Sequence, residues 1–244
     1  IKKMKENTIF AAEILRRRAA GYAGAAASLL LERDQSLAGQ GGAFATWKGH
    51  LTHRVIELAA ALAADEPRLF SERLVWSRKM FIARGQDTQV LEQSLACLRD
   101  YLAGHLPAKV VDVTSQYIDA ALKAISGAAP ELDASELDPT LPMDRLALLF
   151  LEQALEGNSN KAAQLLLDAV DSGTSVTSIY VDVLLPAQRE IGRLWHFDDV
   201  TVAEEHLVSA TTMRAMAVLS HLAPRKKANG KTVVAACVQS NTHD

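Results

Sequence analysis

Residues 127–142 read GAAPELDASELDPTLP, and no other stretch limits the possible folds of this chain so strongly. Pro130, Pro139 and Pro142 each lock φ and remove a backbone donor, so no helix can run through. Everything on either side favours helix. Only 13 Gly and 7 Pro occur in 244 residues, and 49% of residues are hydrophobic against 5% aromatic, with much of the apolar content Ala and Leu. That mixture is poor in the β-branched and turn residues a β-sandwich needs. The expectation is a mainly α chain with a helical domain over 1–128, a linker over 129–142, a second helical domain over 143–226, and the start of an α/β domain over 230–244.

The first domain reads as helices over about 5–36, 43–64, 68–84, 87–104 and 107–126. Gly39, Gly41 and Gly42 separate the first two, and Pro67 suits a first turn. Gly85 suits a left-handed cap, and Asp87 can cap the next helix. Leu91, Leu95, Leu98 and Leu102 recur at helical spacing. The second domain reads as helices over 143–156, 159–172, 175–195 and 201–221. The third should bend near Pro186, and the fourth can open with a Thr201/Glu204 capping box. Short connections make this an antiparallel four-helix bundle. Lys231–Val238, KTVVAACV, is apolar on both faces and reads as a buried parallel strand after an Asn229–Gly230 turn. One strand cannot satisfy its own backbone, so an α/β domain is expected to continue past Asp244.

A formal net charge of −3 gives no electrostatic footprint for nucleic acid. Cys97 and Cys237 are too few for a disulfide framework or a cysteine zinc site. The uncharged run Ala19–Leu31 is too short to span a bilayer, and no secretory signal stands out. These features describe a cytoplasmic protein without nucleic-acid or membrane partners. No nucleophile–base arrangement, Gly-rich phosphate loop or helix-turn-helix pattern stands out either.

Chemistry concentrates in Trp195-His196-Phe197-Asp198-Asp199-Val200-Thr201-Val202-Ala203-Glu204-Glu205-His206. Here the third helix of the bundle ends and the fourth begins, which sets an indole, two imidazoles and carboxylates at one end. Such a set can hold a large flat ligand by stacking, hydrogen bonding and metal ligation. His243, past the carboxyl end of the expected strand, stands where ligands of open α/β sheets bind.

Trp195, nine residues, then Glu205-His206 resembles the Trp-x9-Glu-His motif of CarH-like adenosylcobalamin photoreceptors. LPAQREIGRLWH and VAEEH resemble the helical cap of cobalamin modules, and Asn241-Thr242-His243 resembles the start of the acidic-x-His-x-x-Gly motif. Asn241 replaces the usual acidic residue. The resemblance covers about 143–244 and implies a function. Trp195 and Val202 would line the space of the upper adenosyl group, Glu205 would bond its ribose, and His206 would support the upper face. His243 would be the lower cobalt ligand. His196 stands where similar photoreceptors carry the histidine that binds cobalt after photolysis. The implied protein is a light sensor, not an enzyme, that changes conformation or oligomeric state and signals to a partner or output domain. It would be a homo-oligomer in a light-dependent way.

FATWKGHLTHRVIELAAAL and LVWSRKMFIARGQDTQVLEQSLACLRDYL resemble the globin-like sensor domains of the RsbR type. Joined to a cobalamin cap, that architecture resembles the photocobilins and implies biliverdin as a second chromophore. Trp47, His50, His53, Arg54, Trp76 and Arg78 are the residue types a bilin needs. Plainer readings stand beside these. Trp47, Trp76 and Phe81 suit a helical core, and Trp195 alone would too. His196 reads equally as a solvated loop residue, His206 as a helix-surface one and His243 as a terminal one. His50 and His53 share a helix face but lack a third ligand nearby. A corrinoid methyl carrier would share His243 and the cap, and a ligand-free interaction module would need neither.

Overall fold

The computed structural model describes residues 2–128, 133–224 and 230–235. These are helical throughout their ordered elements and divide into two compact units, one of residues 1–134 and 193–201, the other of 135–192 and 202–244.

The first unit is built from α1 (Lys2–Arg33), the short α2 (Gln35–Ala38), α3 (Ala43–Ala64), α4 (Pro67–Ala83), α5 (Thr88–His105) and α6 (Ala108–Gly127). Helix α1 lies chiefly on α3, and α4 on α6. Buried Ala11, Ala12, Ala19, Ala23, Ala26 and Ala27 give α1 a flat face for that contact. Leu51, Leu58, Phe70, Leu95, Leu98 and Ile118 fill the core without exposure. The expected single helix over 5–36 is interrupted twice. Arg18 has non-helical φ/ψ (−126°, 21°), which kinks α1. The Asp34 carboxylate then accepts from the Ser36 and Leu37 N–H groups, starting a new helix where the first was expected to continue.

At α4 and α5 the predicted punctuation is observed. Pro67 opens α4, Gly85 has φ 61°, and the Asp87 carboxylate caps α5 through the Gln89 N–H at 2.8 Å.

The second unit contains α7 (Pro142–Leu155), α8 (Ser159–Asp171), the single turn α9 (Val176–Ser178), a π-helical stretch Ile179–Leu184 running into α10 (Leu185–His196), and α11 (Val202–Leu219), with residues 193–196 of α10 belonging to the first unit. Phe150, Leu166, Ile179, Val183, Ala187, Val208 and Ala215 are buried between these helices. The bend expected at Pro186 takes the form of the π stretch. Proline has no N–H for the carbonyl four residues back and crowds it, and a wider turn absorbs that clash. The Leu185 N–H reaches Tyr180 O, a five-residue step. The Tyr180 hydroxyl donates to Met216 O at 2.9 Å and ties this turn to α11.

The strand expected over 231–238 is not formed by its described part. Lys231–Ala235 carries no secondary structure, and Val233 and Val234 are 89% and 87% exposed. A strand forms only against a neighbour that takes its N–H and C=O groups, and no strand is present among the described residues. Residues 236–244, with Cys237 and His243, lie outside the described residues.

Candidate cofactor-binding site

Within the first unit, the site begins where α10 stops. The Asp199 N–H bonds Leu194 O at 2.9 Å and the Asp198 N–H bonds Trp195 O at 3.2 Å, the paired closure of a Schellman end. Asp198 takes the left-handed position that closure requires, with φ 65°.

His196 precedes this turn and is buried, 4% exposed. Its ring stacks on Trp76 at 4.0 Å with 4° between planes, and on Phe197 at 4.7 Å. His196 Nε2 lies 2.8 Å from Trp76 O. A carbonyl only accepts, so Nε2 carries the proton and Nδ1 holds the lone pair of the neutral ring. Burial pushes the His196 pKa below the ordinary value. The Trp76 carbonyl and Asp133 oppose that shift, while Arg84 and Lys79 add to it. The solvated-loop reading of His196 is therefore overturned, because two aromatic faces and a carbonyl enclose the ring.

Trp195 is half-buried, its ring 6.4 Å from that of Trp76. Arg84 Nη2 donates to Trp195 O at 3.2 Å, and Nε to Asp198 Oδ1 at 3.3 Å. The Arg73 guanidinium covers the other side of the assembly, 4.0 Å from the Trp76 ring centroid.

Within the second unit, the opening turns of α11 present the remaining candidates. Val202 is 53% exposed, one residue beyond Thr201, which stands at the helix entrance. Glu205 is half-buried and pairs with the exposed His206 through Oε2 and Nδ1. Glu205 Oε1 also receives the Ser209 hydroxyl at 2.9 Å. Ser209 Oγ lies 3.2 Å from Gln188 Oε1, and Gln188 Nε2 donates to Thr212 Oγ1 at 2.7 Å. Ser209 has one proton to give, and the charged carboxylate is the stronger acceptor. The carboxylate is thereby held by the bundle's own polar seam, with an apolar neighbour and an imidazole on the same opening turns. That donor set suits one edge of a large amphipathic ligand.

The bilin candidates come together only in part. Trp47, His50, Arg54 and Trp76 line a cavity of about 50 Å³ in the first unit, whereas His53 and Arg78 do not line it. Arg54 is already engaged, donating to Ser77 Oγ at 2.8 Å and pairing with Glu57 at 3.0 Å. Arg78 Nη1 donates to Ala128 O at 3.2 Å. Pockets for ligands of drug size measure several hundred Å³. No pocket of that size is formed by these residues here; Phe81 is buried and Trp47 and Trp76 are half-buried, as the plainer packing reading has them. His50 and His53 gain no third ligand, since no metal-ligand cluster occurs among the described residues.

Residues 149–220 match the B12 binding domain family. The match supports a cobalamin-binding protein. Trp195, His196, Val202, Glu205 and His206 all fall inside the matched B12-binding domain, and His243 falls outside it. No curated protein and no solved structure matches the chain significantly. No helix among the described residues is long and apolar enough to cross a membrane.

Sequence reasoning missed Trp76 and Arg84 as neighbours of this segment. They stand 120 and 111 residues from their partners, and no local pattern links them.

Proposed function

We propose that this protein is a light sensor that binds adenosylcobalamin through the cap motif of Trp195, Val202, Glu205 and His206. The observation that carries this reading is the Trp195-x9-Glu205-His206 spacing inside a B12-binding domain, with the Glu205 carboxylate already oriented by Ser209. Bound adenosylcobalamin supplies a cobalt–carbon bond that light breaks. Trp195 offers an indole face to the adenosyl group, Val202 an apolar wall, Glu205 an acceptor for ribose hydroxyls, and His206 a polar support. His243 would be the residue that holds the cobalt. His196 holds its proton on Nε2 toward Trp76 and must either give up that bond or turn Nδ1 outward to ligate a metal. Leaving Trp76 would uncover two aromatic faces, which gives the switch a conformational output. That output passes to a partner or output domain, or to a changed homo-oligomer. The protein is cytoplasmic in this reading and turns nothing over. The globin-like character of the first unit stays part of the proposal.

The test is the absorption spectrum of the protein reconstituted in the dark with adenosylcobalamin, before and after green illumination. The reading predicts loss of the alkylcobalamin bands and a stable imidazole-ligated spectrum that His196→Ala abolishes. Tight binding without any protein-specific light product would instead support a methyl-carrying corrinoid protein. A colourless protein would remove both and leave an interaction module.

A further inference from the structure

Five helices among the described residues end with the same pair of backbone bonds, at Asp65, Gly85, Gly157, Gly173 and Asp198. Glycine is the inexpensive residue at this left-handed position, since a Cβ there meets the carbonyl and costs about 1–2 kcal/mol. Both aspartates that replace it are tied to a distant side chain. Asp65 accepts from Tyr117, a phenol that burial, with the Asp65 and Glu66 charges, pushes up to about 12. Asp198 pairs with Arg84.

The Arg84 side chain engages the end of α10 at three points. Nη2 takes the Trp195 carbonyl, Nε takes the Asp198 carboxylate, and the guanidinium carbon lies 5.7 Å from the indole centroid. Arg84 is itself the last residue before Gly85, whose φ of 61° turns the chain away from α4. A planar fork with several donors can hold a carbonyl, a carboxylate and a ring at once, and an ammonium cannot.

We propose that Arg84 is a positioning residue for Trp195. It fixes the indole and the strained Asp198 turn in a single geometry, so that the indole is pre-organised before a cofactor binds. This deepens the adenosylcobalamin reading and rests on it for its functional consequence. The geometric part stands without the cofactor.

The experiment uses the whole protein with Arg84→Ala and Arg84→Lys, read first without corrinoid. The Trp195 indole N–H resonance, assigned with Trp195→Phe, should broaden or shift in Arg84→Ala. The Asp198 and Asp199 amides should exchange roughly fivefold faster, the most that a half-exposed ion pair is worth. Arg84→Lys should restore the ion pair but not the indole signal. With adenosylcobalamin, Arg84→Ala should bind the corrinoid but give its light product more slowly. Unchanged indole and amide signals in Arg84→Ala overturn the proposal. Should Arg84→Ala fail to fold by circular dichroism, Arg84→Gln, which keeps the stem but loses the charged fork, is read for the same two signals. If the parent protein binds corrinoid and shows no light product, the light-sensing reading fails, while the indole and amide signals still decide the role of Arg84.

Discussion

His196 and His206 lie ten residues apart and live in opposite environments. His196 is sealed between Trp76 and Phe197, donates to a carbonyl and is held neutral by burial. His206 is exposed on a helix surface beside Glu205. The first belongs to the packing of its unit and can act only by leaving it. The second stands open to solvent at the start of α11. The same residue type therefore carries a conformational cost at one position and almost none at the other, and the two clusters should respond differently to every perturbation.

The largest contrast is expected from truncating the ring that holds His196. Trp76→Ala removes a stacking partner and a cavity wall and should cost about 3 kcal/mol, measured by denaturant unfolding. His206→Ala in the same assay should stay within about 0.5 kcal/mol, as surface substitutions do. Equal losses would erase the distinction between the two sites.

Next in size is the backbone term at the end of α10. Asp198→Ala keeps the left-handed strain and loses the carboxylate, whereas Asp198→Gly loses the carboxylate and relieves the strain. The glycine variant should be the more stable of the two by about 1 kcal/mol. The Arg84–Asp198 pair adds less than that, because Asp198 is largely exposed.

Acid should distinguish the histidines by sign. The His196 pKa is lowered on folding, so between that value and the unfolded value near 6.5 the unfolded chain binds more protons. The stability it contributes is full above the unfolded pKa and is lost as pH falls toward the folded one. Thermal melting should thus drop on acidification below about pH 6.5. His196→Phe should flatten part of that drop. His50, lowered by burial and by Arg54 and His53, accounts for a further part.

The smallest stability change is expected at Ser209→Ala, about 0.5–1 kcal/mol or less. Its effect should show instead as weaker adenosylcobalamin binding, read by titration of the absorption bands, because Glu205 loses the hydroxyl that orients Oε1.

The helices of α3, α4, α5, α7 and α8 were legible within a residue or two, because their caps are local. Pro67, Gly85, Asp87, Gly157 and Gly173 act on backbone groups only a few positions away. The break at Asp34 was missed although Asp34, Ser36 and Leu37 carry the signal. An uninterrupted apolar pattern outweighed a cap placed inside it. The strand over 231–238 rests on an apolar run after the Asn229–Gly230 turn, yet Val233 and Val234 stand exposed, since a strand depends on a partner that a local pattern cannot supply. The Trp195, Glu205 and His206 candidates were legible as a spaced motif, and the B12-binding match covers all three. Their environments were not.

By itself the sequence determined that this chain is helical, where most helices start and stop, and that a cobalamin-type motif spans the end of α10 and the start of α11. Each of these depends on groups within about ten residues of one another. Only the tertiary structure decided that His196 is a buried neutral donor, that Trp76 is its lid, and that Arg84 grips the Trp195 turn. Those contacts join residues more than a hundred positions apart. Desolvation, stacking and ion pairing arise only when packing has removed water from between such distant groups.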